Sequence, residues 1–237
     1  NITICGPCAR ALLGEFTDDI DLAPKAFPYM TWRAGTVGGF SARIFRVSFT
    51  GEVSYEINVP ASYGLSLWTA MINAGDKYGI TPFGTEAMHV LRAEKGYIIA
   101  GQETDGTVTP DDVGMGWAVS TKKDFIGKRS LNRQAFIEES REKIVGVVPL
   151  DKKTMIPEGS HLVTDNNAPL PNPKLGHISA SCWSVEYNNP FSLAILKDGK
   201  RKIGQKLYAL SPLKNISIEV EIVSSHYVDP KGERVRS

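Results

Sequence analysis

The part of the sequence after Arg141 consists of short runs of β-forming residues separated by Gly, Asn, Asp and Pro. The runs read "KIVGVVPL", "HLVTD", "GHISAS", "SLAILKDGKRKIGQKLYAL" and "SIEVEIV". Regular short strands with this punctuation are typical of a small β-barrel or a β-sandwich. We therefore predict a domain boundary near residues 140–143, with residues 1–141 forming a first domain and residues 142–237 a second one.

The stretch from Thr31 to Pro60 predicts extended chain folded around turns. After the turn at Gly51, Val53, Tyr55, Ile57 and Val59 share one face, while Ser54, Glu56 and Asn58 share the other. Earlier in the stretch, the alternation of Phe40, Ala42 and Ile44 shifts by one residue to Phe45, Val47 and Phe49. Such a shift predicts a β-bulge. The alternation after the turn places Glu56 away from the apolar side of its strand.

Three amphipathic helices are predicted in the first domain. Ser62 is the expected cap of one that ends at Gly79, Thr85 the cap of one that ends at Gly96, and Ser130 the start of the third. The apolar face of the first of these helices comprises Leu65, Trp68, Met71, Ile72 and Tyr78. The segment "GQETDGTVTPDDVGMGWAV" is too rich in Gly, Asp and Thr for a helix, so we expect a long ordered connection.

The charge balance and the lack of long apolar runs argue against nucleic acid and membrane as partners. The 237 residues carry 27 basic and 26 acidic side chains, giving a net charge of +1, so we expect no nucleic-acid partner. No apolar run approaches the roughly 20 residues that cross a bilayer, and we expect no membrane partner and a cytoplasmic location. The chain begins with Asn1 and enters an apolar stretch at once. This beginning suggests a piece of a longer polypeptide.

The phrase "CGPC", Cys5 to Cys8, raises the possibility of thiol-disulfide chemistry. Its surroundings predict strand, turn and helix, and a helix N-terminus would stabilise a thiolate. A thioredoxin-type site needs a βαβ scaffold before the motif, however, and only four residues precede Cys5. We therefore favour a structural turn in which the two cysteines are small buried residues.

Other motifs of catalysis and binding are incomplete. Gly114 and Gly116 lack the third glycine of a dinucleotide fingerprint, because Val119 occupies that position. The histidines are scattered, at positions 89, 161, 177 and 226, so we expect no metal site. Glu56 is a better candidate, since a carboxylate on a strand can accept two parallel N–H bonds from a planar ligand edge. From the alternation alone, a solvated carboxylate remains the preferred interpretation.

Seven phrases in order carry a family resemblance: "GPCARALL", "FPYM", "RVSFTGEVSYEI", "LWTAMINAG", "LRAEKGY", "GQETDGTVTPDDVGMGW" and "FIGKRSL". Together they resemble the tetrahydrofolate-dependent aminomethyltransferases, the family of the glycine-cleavage T-protein. The resemblance implies an α+β fold. It comprises a folate-binding region with an antiparallel sheet and packed helices, followed by a small C-terminal β-barrel.

The resemblance also assigns ligand contacts residue by residue. The glutamate of the family's "GYEI"-type phrase falls on Glu56, which implies that this carboxylate binds the 2-amino and N3–H edge of the pterin. The terminal strand implies a ligand-contacting aromatic at Tyr227, although a tyrosine of the barrel core is an equal alternative. Where many relatives have an arginine that contacts the folate tail, this chain has Met88, and Arg92 is a possible substitute. No residue receives a catalytic role.

Within the family, "LRAEKGYIIAGQETDGTVTPDDVGMGW" looks most like the C-terminal part of sarcosine oxidase α subunits. This resemblance implies a heteromeric enzyme in which tetrahydrofolate accepts the one-carbon unit of sarcosine as 5,10-methylenetetrahydrofolate. The other sarcosine oxidase subunits are then partners, and FAD, FMN and NAD belong to other parts of the enzyme. Family members also have a segment before "GP.AR" that carries part of the folate cavity, so we expect the transfer site to be incomplete here.

Two alternative functions stay open. The chain could belong to a free-standing aminomethyltransferase or a folate-dependent demethylase. It could also be a docking scaffold that has lost folate binding, an alternative motivated by Met88 in place of the family arginine.

Overall fold

The computed structural model describes residues 1–167 and 171–237. The chain divides into two compact units, one formed by Asn1–Leu91 with Asp229–Ser237 and the other by Arg92–Val228. An antiparallel sheet with helices lies in the first unit and a closed barrel in the second. The α+β fold class with a C-terminal barrel is therefore confirmed, while the domain boundary at residues 141 and 142 stays a prediction.

The first unit is built on a four-stranded antiparallel sheet with the order β1-β4-β3-β2. Its strands are β1 Ile2–Cys5, β2 Thr31–Val37, β3 Phe40–Arg46 and β4 Ser54–Asn58. The α-helices in the described part of the chain are α1 Ala9–Gly14, α2 Gly64–Gly75, α3 Thr85–Glu94, α4 Gln134–Ile137 and α5 Glu233–Arg236.

One face of this sheet forms the core of the first unit. Ala42 and Ile44 of β3 and Tyr55 and Ile57 of β4 are at most 4% exposed, and they cluster with the buried leucines of α1. Since side chains alternate across a strand, the residues between them face the opposite side. The predicted alternation around Glu56 is thus confirmed.

The predicted bulge after Ile44 is wrong. Strands β2 and β3 pair without a shift as far as Thr31 opposite Arg46. Arg46 continues the inward alternation and is only 1% exposed, because its guanidinium donates hydrogen bonds to the carbonyls of Phe27 and Ser237. The bulge was predicted because the alternation was read from apolar residues only. A buried arginine whose guanidinium is bonded to backbone carbonyls is not recognised in such a pattern.

Two helix predictions also need correction. Helix α2 buries Leu67 and Met71, whereas Leu65 is 78% and Trp68 44% exposed. The helix begins only at Gly64, after a 3₁₀ turn, with no side-chain cap from Ser62 recorded. The third predicted helix is a 3₁₀ turn at Ser130–Asn132 followed by the four-residue α4.

Gly79 and Gly96 adopt the left-handed backbone angles predicted for them, with φ of 69° and 74°. Helix α2 itself ends earlier, at Gly75, and the 3₁₀ turn Asp76–Tyr78 leads to Gly79. Gly96 has a second constraint, because a Cβ atom there would lie 2.5 Å from the carbonyl oxygen of Ser225. Helix α3 runs from Thr85 itself, and the residues that follow Gly96 form the expected ordered connection of turns.

The second unit contains a closed barrel of six antiparallel strands in the order β10-β5-β8-β7-β6-β9. Its strands are β5 Glu142–Pro149, β6 His161–Val163, β7 Gly176–Ser184, β8 Asn189–Lys197, β9 Lys206–Ser211 and β10 Ile216–Val223. Val147, Leu162, Leu196 and Val220 are among the fully buried residues of its core. Of the two β architectures that the sequence left open, the structure has the barrel.

Candidate functional site

Glu56 lies in the middle of strand β4, on the outer face of the sheet of the first unit. Its neighbours across the sheet are Thr3 of β1 and Phe45 of β3. The flanking Tyr55 and Ile57 are 0% exposed, so the strand is fixed by the core while the Glu56 side chain remains half-buried. The carboxylate is therefore held on a rigid element and open to a ligand.

The polar contacts of Glu56 are few and weak. The Nδ2 atom of Asn1 lies 3.4 Å from the Glu56 Oε2 atom and 3.4 Å from the Oδ1 atom of Asn58. Thr3 in turn donates its hydroxyl to Asn1 at 3.3 Å. Among the residues that the structure describes, no lysine or arginine forms an ion pair with Glu56. Both oxygens of the carboxylate thus retain capacity to accept hydrogen bonds.

A separate apolar cavity of about 650 Å³ lies in the same unit, between β1 and the helices α2 and α3. Its lining includes Ile4, Cys5, Trp68, Phe83 and Met88, and Glu56 is not part of it. Met88, which stands where many relatives have an arginine, thus contributes to an apolar wall.

The phrase "CGPC" forms the end of β1 and the turn into α1, as the sequence predicted. Cys5 is half-buried, and burial raises the pKa of its thiol, although a hydrogen bond with Thr50 opposes this effect. Cys8 is exposed, so its description as a buried residue is wrong. A raised pKa is opposite to what an attacking cysteine needs.

Tyr227, the second predicted ligand residue, lies in the second unit and is partly buried. Its ring stacks on Phe191 at a centroid distance of 4.4 Å and contacts the Tyr187 ring at 4.6 Å. The hydroxyl donates to the Oδ1 atom of Asn189 at 3.2 Å. These contacts fit the barrel-packing interpretation, and half of Tyr187 remains exposed beside it.

Arg92, the third predicted ligand residue, is a buried ion-pair partner in the second unit. Its Nη1 atom lies 3.0 Å from the Oε1 atom of Glu103, and both side chains are at most 1% exposed. The same nitrogen donates to the carbonyl of Tyr97 at 3.1 Å. The Nε atom of Arg92 is buried without a recorded partner. The Arg92 guanidinium is therefore engaged in contacts within the second unit.

Glu103 is a buried carboxylate that the sequence analysis missed. Besides Arg92, it accepts hydrogen bonds from the Ser179 hydroxyl at 3.0 Å and the Ile99 backbone N–H at 2.8 Å. The neighbouring Gln102 donates to the Ser179 carbonyl at 2.7 Å. These bonds tie the long connection to barrel strand β7. An acidic residue inside a Gly-rich connection is the signal that could have indicated it.

The first half of the chain matches a known protein family. The model described as the GCVT N-terminal domain matches residues 1–123, which is more than half of the chain. The chain belongs to the GCVT family. Glu56 and the sheet that carries it lie within the matched residues.

The curated relatives of this GCVT chain include sarcosine oxidase subunits and aminomethyltransferases. It is 40% identical over 236 residues to the sarcosine oxidase subunit alpha of Corynebacterium sp. (strain P-1) and 35% identical to that of Rhizobium meliloti. It is also 34% identical over 206 residues to an aminomethyltransferase of Clostridium botulinum. The chain covers 24% of the sarcosine oxidase subunits and 53% of that aminomethyltransferase.

A solved structure has the same fold. The glycine cleavage system aminomethyltransferase T of Bartonella henselae superimposes with a TM-score of 0.75 at 22% sequence identity. The match covers 96% of this chain and 59% of that chain. The α+β fold with a C-terminal barrel, which the resemblance implied, is thus shared with an aminomethyltransferase.

In residues 1–167 and 171–237, no group of three or more His, Cys, Asp and Glu side chains has an arrangement that could hold a metal ion. Over the same ranges, no helix combines the length and apolar character needed to span a bilayer.

Proposed function

We propose that this chain is the tetrahydrofolate-binding part of a heteromeric sarcosine oxidase α subunit. The higher identity to sarcosine oxidase subunits than to aminomethyltransferases supports the choice of enzyme. The observation that carries the folate assignment is Glu56, a half-buried carboxylate on a rigid central strand with no recorded cationic partner in the described residues. The other subunits of the oxidase are the expected partners.

The donor edge of a pterin matches this carboxylate. The 2-amino group and the N3–H of the ring point in the same direction, and a carboxylate accepts two parallel bonds of that kind. When bound, tetrahydrofolate supplies the nucleophilic nitrogen that takes up the one-carbon unit of sarcosine, with glycine as the second product. FAD, FMN and NAD would act in parts of the enzyme outside this chain.

The contribution of the chain is positioning. Glu56 holds one end of the ring, so that the reacting nitrogen has a fixed location, and fixing a reactant lowers the entropic part of the barrier. Tyr227, which is partly buried beside the half-exposed Tyr187, is proposed as a further contact. The resemblance also implied a contact from Arg92 to the folate tail, but that guanidinium is buried in its pair with Glu103. Such a contact would require the pair to open, so we assign Arg92 no ligand contact. No residue of this chain is proposed for proton transfer.

Product analysis tests the proposal. Oxidised sarcosine is an imine of glycine, which yields formaldehyde with water and 5,10-methylenetetrahydrofolate when the folate nitrogen captures it. In the complete enzyme, Glu56→Gln should leave sarcosine oxidation within twofold and cut the methylenetetrahydrofolate share at limiting folate by about tenfold, as expected for the loss of a charge-assisted bond. An unchanged product ratio would overturn the role of Glu56.

The second candidate is a free-standing aminomethyltransferase, which the 34% identical relatives and the shared fold favour. The same assay separates the two: an enzyme that never consumes sarcosine, with or without folate, supports the aminomethyltransferase. A wild-type protein that binds no tetrahydrofolate supports the docking scaffold and contradicts both.

A further inference from the structure

The outer face of the first sheet carries one continuous row of side chains around Glu56. Trp32 of β2 is paired with Phe45 of β3, Phe45 with Glu56 of β4, and Glu56 with Thr3 of β1. Side chains of residues that are directly opposite each other share a face, with Cβ atoms about 4.5–5.5 Å apart. The row therefore places an aromatic ring directly beside the carboxylate.

The aromatic end of the row is exposed. Trp32 is 53% exposed and Phe45 is partly buried, and their rings stack at a centroid distance of 6.2 Å with an interplanar angle of 29°. The adjacent outer-face positions are polar, with Arg43 opposite Asn58. Trp32 and Phe45 thus form a small stacked aromatic surface on an otherwise polar sheet face, next to the carboxylate.

We propose that Phe45, backed by Trp32, is the aromatic wall of a ring-binding site whose polar anchor is Glu56. The ligand class is a planar heterocycle that donates two adjacent N–H bonds to Glu56 and lays its face against Phe45. This inference rests on the proposed function, and it adds the residue that positions the plane of the ring. A carboxylate alone fixes one edge of a flat ligand, whereas an adjacent aromatic face also fixes its tilt.

Binding measurements on the complete polypeptide test whether Phe45 and Trp32 contact the ligand ring. Tetrahydrofolate is titrated by calorimetry, with air excluded, into the wild type and the variants Phe45→Ala, Phe45→Tyr, Trp32→Ala and Glu56→Gln. Trp183, which is 41% exposed on barrel strand β7, supplies the matched control Trp183→Ala. Thermal unfolding of each variant checks the fold. If Phe45→Ala does not fold, the exposed Trp32→Ala carries the test.

We expect the loss of affinity to differ between the variants. Phe45→Ala should weaken binding about 5- to 10-fold, which is the magnitude of an aromatic contact, and Phe45→Tyr should restore it to within about twofold. Trp32→Ala should weaken binding about threefold and Trp183→Ala should not change it. Trp32 fluorescence, taken as the difference between wild type and Trp32→Phe, should respond to tetrahydrofolate.

The opposite results separate the two proposals. If Glu56→Gln weakens binding while Phe45→Ala and Trp32→Ala do not, the wall is wrong and the proposed function stands. If the wild type does not bind tetrahydrofolate, or Glu56→Gln binds equally well, both fail. Loss of subunit assembly in Trp32→Ala at unchanged affinity would show that a protein partner covers this face, and would overturn the wall.

Discussion

Glu56 in the first unit and Glu103 in the second are two carboxylates in opposite physical states. Glu103 is 2% exposed and accepts bonds from Arg92, Ser179 and the backbone of Ile99. Glu56 is half-buried, and its recorded contact is the Asn1 amide at 3.4 Å. A saturated buried carboxylate has little remaining capacity for a ligand, whereas one with free lone pairs on a rigid strand is suited to bind one.

The difference shows why a charged residue cannot be assigned a ligand role from its type alone. The family resemblance implied a pterin contact for Glu56 and made Arg92 a possible substitute for the missing family arginine. The structure gives Arg92 an internal acceptor and Glu56 no partner of opposite charge in the described residues. Removal of the two charges should therefore have different consequences, the first for stability and the second for binding.

The largest expected effect comes from Arg92→Met, which leaves Glu103 as a buried, unpaired carboxylate. Loss of one partner of a buried ion pair costs about 3–5 kcal/mol in the free energy of unfolding. Urea denaturation of the complete polypeptide measures it. The control is Arg129→Met, an exposed arginine of the same unit, which should change stability by less than about 0.5 kcal/mol. Equal midpoints for the two variants would contradict the structural role of Arg92.

Asp112 offers a second saturated carboxylate with a pH signature. Burial raises the pKa of Asp112, but hydrogen bonds from Arg141 Nε at 3.1 Å and Lys143 Nζ at 2.8 Å outweigh it and hold that pKa well below its usual range. Asp112→Asn should cost about 1.5–3 kcal/mol at pH 7, the worth of hydrogen bonds to charged groups.

The sign of the pH dependence of Asp112 follows from its lowered pKa. A carboxylate with a depressed folded pKa stabilises the protein above its unfolded pKa, about 3.9, and loses that contribution as pH falls toward the folded pKa. The stability gap between wild type and Asp112→Asn should therefore be constant from pH 7 to about pH 5 and shrink below about pH 4. A gap that does not depend on pH would show that Asp112 is not ionised in the folded protein.

The sequence predicted the elements where one physical signal dominates. Alternation located the strand around Glu56, glycine turns located the helix ends, and short punctuated runs indicated the barrel strands. The prediction failed at Arg46 and Leu67, because burial there depends on carbonyl acceptors and on where the helix begins. The Arg92–Glu103 pair was missed for another reason. The acidic residue in the Gly-rich connection is visible in the sequence, but no periodic pattern indicates that Arg92 is its partner.

A smaller effect on stability is expected for Glu56, in contrast to the Arg92–Glu103 pair. Glu56→Gln keeps the shape of a side chain that has no recorded ionic partner in the described residues, so the free energy of unfolding should change by less than about 0.5 kcal/mol. The same denaturation experiment checks it. A loss of 2 kcal/mol or more would place Glu56 among the structural carboxylates and remove the distinction from Glu103.

The smallest expected effect concerns "CGPC", which begins at the end of β1, the strand paired with β4. Cys8 is exposed and forms no disulfide, so Cys8→Ser should leave folding and folate-coupled turnover unchanged. Alkylation at neutral pH should modify Cys8 before the half-buried Cys5, whose pKa is raised by burial. A folded Cys8→Ser protein without folate-coupled activity would mean that the site of the first unit includes this thiol.

The most direct test of the central claim is the dissociation constant of tetrahydrofolate for the complete polypeptide, measured for the wild type, Glu56→Gln and Arg92→Lys. Arg92→Lys keeps the positive charge beside Glu103 and so limits the structural damage. The account predicts that Glu56→Gln binds about tenfold or more weakly while Arg92→Lys binds like the wild type. Equal constants for the wild type and Glu56→Gln, with a weakened Arg92→Lys, would contradict it.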